Sequence, residues 1–263
     1  MKPGCYAGPI IGGCGGPLTE EHPFSEALRR GGSVEIVVRE PDSAGEWQTT
    51  FSSAPIKAKD ASAKILCADH NNGLSPTDQE AVRLQDALQE IGRRDASTLV
   101  FPSQRVVING RCFAQFLCKY IVGAYVIHDP KTPPSADLVR YAFGFPTSRP
   151  LHFYSAMQIG DKPGFGRTDN APVRRIGSDT EPSMAYVVEV AGLRTIVTHL
   201  GGGDPLLVAL KDLVAPDAGW LDRLCGIRCP MKGNEVYFIA FDWSDDPAES
   251  RLLDAGGLRA GRP

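Results

Sequence analysis

The hydrophobic and polar positions of the first third alternate in two stretches, and each stretch predicts a strand. Val34, Ile36 and Val38 alternate with polar residues over 33–40, as the buried face of a half-exposed strand does. At 63–71 the sequence AKILCADHN predicts a short buried strand that ends in polar side chains. We therefore expect the first third to contribute strands to a sheet.

Two longer stretches have the spacing of helices. Residues 75–92 carry apolar side chains three and four positions apart, with Ser75 as the predicted N-cap and Gly92 as the predicted end. Residues 111–127, RCFAQFLCKYIVGAYVI, are apolar nearly all round, which predicts a buried helix followed by a strand at 124–127. The middle of the chain is therefore expected to be mainly helical.

The last third is predicted to be richer in strands. Residues 184–200 predict a hairpin with its turn at Ala191 and Gly192, and a glycine turn at 201–203 then leads into a predicted helix. Residues 161–183 are polar and contain glycine and proline, which predicts a long loop of the kind that often binds a ligand.

This order of elements predicts an α+β fold in which antiparallel or mixed sheets pack with helices, with a four-layer αββα sandwich as one such arrangement. We expect a flexible N-terminal arm at 1–18, because glycine and proline dominate it. A single domain is expected at 19–245, and a polar C-terminal tail at 246–263.

Composition and charge narrow the classes of protein. The chain has 263 residues, of which 42% are hydrophobic and 22% charged, as is ordinary for a globular protein. A net charge of −3 and a pI near 6.0 give no overall electrostatic signature of nucleic-acid binding. No apolar run approaches the roughly 18 residues of a membrane span, and the start has no apolar core of a secretory signal. We therefore expect a soluble, cytoplasmic protein without membrane contact.

The seven cysteines are expected to be reduced thiols, because no secretory signal precedes them. Cys225 and Cys229 have three residues between them, a spacing found in zinc sites, whereas Cys112 and Cys118 fit such sites poorly. Both pairs also suit thiols packed in a core. We therefore assign no metal ligand and no cofactor, and leave zinc binding by Cys225 and Cys229 open.

Polar residues at the ends of two predicted strands indicate a candidate catalytic cleft. Asp69 and His70 follow the buried strand of 63–71, and His199 ends the late hairpin beside the glycine turn. Catalytic groups often lie at such strand ends, where Asp69 would act as a base or orient a histidine. The leading hypothesis is a hydrolase acting on a small-molecule or peptide substrate, with Asp69, His70 and His199 near one cleft.

A binding protein is the alternative from a different class. Gly202 and Gly203 precede a predicted helix, as in anion-binding loops, although no lysine follows and Asp204 caps the same helix. Arg167, Arg174 and Arg175 lie in the predicted loop, and a non-catalytic binding or assembly subunit would contact RNA or a protein partner through residues 161–179. Assembly into an oligomer is left open.

Three stretches resemble the amino-terminal-nucleophile hydrolases, in particular their proteasome-like branch. They are ILCADHN, RVVINGRCFAQFLCKYI and AYVVEVAGLRTIVTHLGGGDPLLVALKDLV, which together cover about half the chain. The resemblance implies a nucleophile exposed as a new N-terminus, which would be Ser33 after Gly32 or, in a conflicting alignment, Thr49. It implies Arg105 as the nearby basic residue, where a lysine is usual, and leaves the helix at 75–92 as an insertion.

Overall fold

A computed structural model describes residues 4–22, 33–43, 46–57, 60–128, 135–155, 170–177, 185–190, 192–201, 204, 207 and 222–244. Within these residues the helices are α1 (Gly8–Ile11), α2 (Ala68–Gly73), α3 (Ser75–Ala96), α4 (Gly110–His128) and α5 (Ala136–Ala142). The strands are β1 (Leu18–Glu21), β2 (Ser33–Pro41), β3 (Trp47–Ser52), β4 (Ile56–Lys57), β5 (Ala63–Cys67), β6 (Gln104–Asn109), β7 (His152–Ser155), β8 (Asn170–Ile176), β9 (Ala185–Val190), β10 (Leu193–Thr198), β11 (Asp222–Arg223), β12 (Gly226–Pro230) and β13 (Val236–Asp242).

The strands form three sheets that pack with the helices, so the predicted α+β class is confirmed. The largest described sheet has the order β11-β7-β10-β9-β8-β2-β3, with β4 also paired to β2. It is mixed, because β2 and β8 run parallel while its other pairs are antiparallel. A two-stranded sheet joins β1 to β5, and a three-stranded sheet has the order β12-β13-β6. One large and two small sheets differ from the two stacked sheets of a four-layer sandwich.

Helix α4 lies at the centre of the core and contacts strands of all three sheets. Its aromatic rings stack along one side, with centroids of Phe113 and Phe116 6.2 Å apart and those of Phe116 and Tyr120 6.3 Å apart. The strand predicted at 124–127 is wrong, because α4 continues to His128. An all-round apolar surface suits a buried helix, and no proline interrupts it.

Helix α3 also continues beyond its predicted end. Gly92 lies inside the helix, which extends to Ala96. A glycine inside a helix costs about 1 kcal/mol relative to alanine. Ion pairs in the same turn stabilise the helix, since the Glu90 carboxylate lies 2.7 Å from Arg93 and 2.6 Å from Arg94. The described helices include none that is long and apolar enough to cross a membrane.

The N-terminal segment, predicted to be a flexible arm, packs on the core at Tyr6 and Ala7, while Gly4 and residues 12–14 are exposed. Tyr6 is 8% exposed and Ala7 is fully buried in the core. The Tyr6 N–H donates to the carbonyl of Ile65 on β5 at 3.0 Å. Part of the predicted arm therefore contacts the core, and its flexibility stays a prediction. The predicted C-terminal tail at 246–263 lies outside the described residues.

A buried ion cluster connects β1 to the helical core. The Lys119 ammonium on α4 lies 2.8 Å from Glu21 on β1 and 2.8 Å from Asp78 on α3. The side chains of Lys119 and Glu21 are each 2% exposed. Burial raises the pKa of both carboxyls, and the Lys119 charge acts against that rise.

The long loop predicted at 161–183 is wrong over its middle part, which forms β8. This strand lies between β2 and β9, and Val173 and Ile176 are buried. Arg174 and Arg175, between Val173 and Ile176, break the alternation of apolar and polar residues that predicts a strand. The backbone of β8 is nevertheless paired on both sides. The late hairpin of β9 and β10 is confirmed, and Gly192 in its turn has a φ of 86°.

Candidate metal centre

The junction between β5 and α2 places a cysteine beside a histidine. Cys67 ends β5 in an extended conformation, with φ −74° and ψ 162°, and is the N-cap residue of α2. His70 follows one helical turn later, so its ring returns toward the start of the helix. The Cys67 Sγ atom lies 3.3 Å from His70 Nδ1, and both residues are buried.

The N-terminal segment contributes two more thiols to the same place. Cys5 Sγ lies 3.1 Å and Cys14 Sγ 3.9 Å from His70 Nδ1. Helix α1 separates the two cysteines, and Gly12 and Gly13 after it have φ values of 72° and 68°. Non-glycine residues rarely adopt this left-handed conformation, so the glycines allow the chain to turn back.

Backbone hydrogen bonds attach the returning segment to the start of α2. The Ala68 N–H donates to the carbonyl of Pro17 at 3.0 Å, and the Asp69 N–H donates to that of Gly15 at 3.4 Å. A Cβ at position 15 would lie 2.0 Å from Asp69 Oδ2, so another residue there would require the exposed Asp69 side chain to move. The segment therefore fits closely over the helix that carries His70.

The four side chains have the composition and spacing of a tetrahedral metal site. One ligand atom from each of Cys5, Cys14, Cys67 and His70 lies within 4.8 Å of every other. Around a zinc ion with ordinary bond lengths, ligand atoms would be separated by about 3.5 to 3.8 Å. Three thiolates and one imidazole favour zinc over magnesium or calcium, which prefer oxygen ligands. In the part of the chain that the structure describes, no other group of three or more such side chains converges.

The thiols affect one another's ionisation. Burial raises the pKa of the Cys67 thiol, but the N–H groups of His70 and Gly15 and the other two thiols outweigh it, so that the pKa lies below its usual value. Loss of water around the sulfur, together with the thiols of Cys5 and Cys67, raises the pKa of Cys14 to about 11. Crowded thiols cannot all ionise alone, whereas a divalent cation can replace their protons.

The histidine ring is also held from its other side. Phe143, directly after α5, meets His70 edge to face with ring centroids 5.2 Å apart. On the outer side of the cluster, Cys14 is exposed and Cys5 is partly buried. The site is therefore buried on the side of the core and borders solvent at the N-terminal segment.

The other predicted catalytic residues lie in different surroundings. Asp69 is exposed next to His70. His199 Nδ1 lies 2.9 Å from the carbonyl oxygen of Pro150, and its Nε2 lies 3.8 Å from Asp137 Oδ2. Asp137 and Phe143 lie at opposite ends of α5, about 9 Å apart along its axis. His70 therefore contacts the residue that follows α5, whereas His199 lies beside Asp137 near the start of α5, and a common cleft for the two histidines stays a prediction.

The remaining predicted residues are also separate from the cluster. Ser33 begins β2, where its backbone pairs with Lys57 and Asn170. Arg174 and Arg175 are neighbours on β8, so their side chains point to opposite faces of the sheet instead of sharing one. The predicted binding residues Arg167, Gly202 and Gly203 lie outside the described residues.

Sequence reasoning did not group Cys5, Cys14 and Cys67 with His70, and it assigned His70 to catalysis. Of the pair considered for zinc, Cys225 directly precedes β12 and Cys229 lies on it. Burial raises the pKa of Cys229 to about 11. A usable signal was the two-residue spacing between Cys67 and His70 at a predicted strand end. Considering cysteine–histidine pairs as well as cysteine pairs would have found it.

Comparisons with models of protein families, with curated proteins and with solved structures found no match. The resemblance to amino-terminal-nucleophile hydrolases therefore stays a prediction.

Proposed function

We propose that this protein binds one zinc ion through Cys5, Cys14, Cys67 and His70, and that the ion holds the N-terminal segment on the β5–α2 junction. The observation that carries the proposal is the convergence of four ligand atoms within 4.8 Å of one another. The ligands come from two segments more than fifty residues apart, so one ion would cross-link them.

The role of this ion is structural. Structural zinc sites use four protein ligands, whereas catalytic sites keep one position for water or substrate. Cys5, Cys14, Cys67 and His70 would fill all four positions, so the ion would not activate a water molecule. A zinc-stabilised binding or assembly protein is therefore better supported than a zinc hydrolase.

A hydrolase stays a prediction, and the zinc proposal changes what it requires. If His70 Nδ1 is a ligand, His70 is not the general base, and catalysis would need other groups such as His199 or an exposed Ser33. An amino-terminal nucleophile would also require cleavage of the chain before Ser33 or Thr49.

Native mass spectrometry of the zinc-reconstituted chain tests the proposal, with Cys14→Ser as the ligand variant and Cys225→Ser as the control. Cys14 and Cys225 are both exposed, but only Cys14 lies in the cluster. We expect one zinc ion per chain in the wild type and in Cys225→Ser, and at least tenfold weaker binding in Cys14→Ser. A wild type that retains no zinc, or two variants that bind equally, would refute the proposal. The same spectra report whether the chain is cleaved.

A further inference from the structure

The face of the eight-stranded sheet opposite to the one that contacts Tyr125 of α4 carries an arginine on each of β2, β8 and β10, with β9 between β8 and β10. On β2 and β8, Val37 pairs with Arg174, so Arg39 lies diagonally beside Arg174 on the same face. Arg174 pairs in turn with Val187, and Val187 pairs with Ile196, which places Arg194 of β10 on this face as well. We call Arg39, Arg174 and Arg194 the arginine cluster.

Two carboxylates on the same face neutralise only part of this charge. Glu189 lies 3.5 Å from Arg194, and the Glu35 carboxylate accepts a hydrogen bond from Ser52 Oγ at 2.8 Å. Within the described part of the chain, no ion pair is formed by Arg39 or Arg174. Arg39 Nε is buried and has no hydrogen-bond partner there. Arg39 and Arg174 are therefore the arginines of the cluster that form no ion pair with a described residue, while Glu35 and Glu189 act on Arg174 from a longer distance.

The neighbouring positive charges affect the ionisation of Arg174. Burial, and then the charges of Arg194 and Arg39, lower the pKa of Arg174, while Glu189 and Glu35 act in the opposite direction. Like charges on adjacent strands destabilise a sheet, and arginine is rarely buried without a partner. Arg39 and Arg174 are both partly exposed, while Arg39 Nε and the side chain of Val187 on the same face are buried.

We propose that Arg39 and Arg174 bind the phosphate group of a small molecule on this face of the sheet. A guanidinium donates two parallel hydrogen bonds to a phosphate, and two guanidiniums from adjacent strands would contact different oxygens of the same group. Glu35 and Glu189 flank the cluster and restrict the positively charged area to a few side chains, so a compact phosphate fits the site better than a long RNA. This site is independent of the zinc proposal, since none of its residues belongs to the metal centre.

Isothermal titration calorimetry on the zinc-loaded full chain tests the proposal with three probes: inorganic phosphate, a nucleoside monophosphate and a single-stranded RNA oligonucleotide. We expect saturable binding of at least one of the first two, and at least tenfold weaker binding in Arg39→Gln and in Arg174→Gln. Tighter binding of the monophosphate indicates a phosphate ester as the ligand, and equal binding indicates phosphate alone. Arg228→Gln is the control, because Arg228 is exposed on β12 in a different sheet.

Arg174→Lys keeps the positive charge but loses the paired donors of the planar guanidinium, so it should weaken binding less than Arg174→Gln. It replaces Arg174→Gln in the test if the glutamine variant does not fold. The proposal is overturned if neither phosphate probe binds, or if Arg228→Gln weakens binding as much as the cluster variants. Binding of RNA alone, with a steep dependence on salt, also overturns it.

Discussion

The N-terminal segment and helix α4 are both packed against the core, but different forces hold them. Most residues of α4 are buried, and its apolar surface explains its position without any ligand. Among residues 4–17 only Tyr6 and Ala7 are buried hydrophobic residues, with Ile10 and Ile11 partly buried against the core, while the two cysteines meet a third cysteine and a histidine from the β5–α2 junction. Hydrophobic burial therefore explains the position of the helix, whereas under the zinc proposal metal coordination would hold the segment.

Removal of the proposed zinc ion should give the largest difference between the N-terminal segment and α4. Structural zinc in small domains contributes apparent binding free energies of about 10 kcal/mol or more. We expect a zinc chelator to expose the backbone amides of Tyr6 and Gly12 to hydrogen exchange, while those around Tyr120 stay protected. Hydrogen exchange with mass spectrometry measures both regions in one experiment.

Phe116→Ala is the matched variant in the helix, since it removes a fully buried ring. It should lower the free energy of unfolding by about 3 to 5 kcal/mol and leave the zinc content unchanged. Unchanged exchange at Tyr6 after chelation would contradict the difference between the two regions.

Lys119→Met should have an intermediate effect, because Lys119 lies where α4 meets β1. The variant leaves the carboxylates of Glu21 and Asp78 without their cation, which should lower the free energy of unfolding by about 3 to 5 kcal/mol at neutral pH. The pKa of Glu21 is raised in the folded protein above its ordinary 4.5, so the folded state gains stability as the pH falls from the raised pKa toward 4.5.

Denaturant unfolding at pH 7 and pH 5 measures this effect, and the loss in Lys119→Met should be smaller at pH 5. Lys64→Met is the control, because Lys64 is exposed on β5 and should change the stability by less than about 0.5 kcal/mol. A loss that does not depend on pH would assign the effect to packing instead of charge.

Gly8→Ala should have the smallest effect and tests the fit around Cys14. A Cβ at Gly8 would lie 2.5 Å from Cys14 Sγ, so the thiol must move. We expect zinc affinity to fall about tenfold, as when groups that orient a ligand are altered. Gly4→Ala is the control, since nothing lies within 4 Å of a Cβ there. Competition with a chromogenic chelator measures both affinities, and equal values would contradict the proposed packing.

The parts of the fold that were predictable are those whose signal is local. The apolar period of α3, the alternation in β2 and the hairpin of β9 and β10 all follow from neighbouring residues. The continuation of α4 through 124–127 was missed, because short apolar runs fit a strand or a buried helix equally well.

The complete cysteine–histidine cluster was not predictable from local signals, because the spacing of Cys67 and His70 indicates only two of its members and the fold brings the other two to them. Cys14 and Cys67 are far apart in the sequence and become neighbours only when the N-terminal segment packs against β5 and α2. The strand β8 and the arginine cluster were hidden for a similar reason. Arg174 was predicted to lie in a loop, and its relation to Arg39 depends on a parallel pairing between distant strands.

The cysteine–histidine cluster and the sheet that contains β6 become complete at different times during synthesis of the chain. The four clustered side chains have all been translated by residue 70, whereas the partner of β6 is β13, which begins at residue 236. At typical rates of translation, roughly ten seconds or more separate the two events. The cysteine–histidine cluster can therefore assemble on the ribosome before β13, the partner strand of β6, has been synthesised.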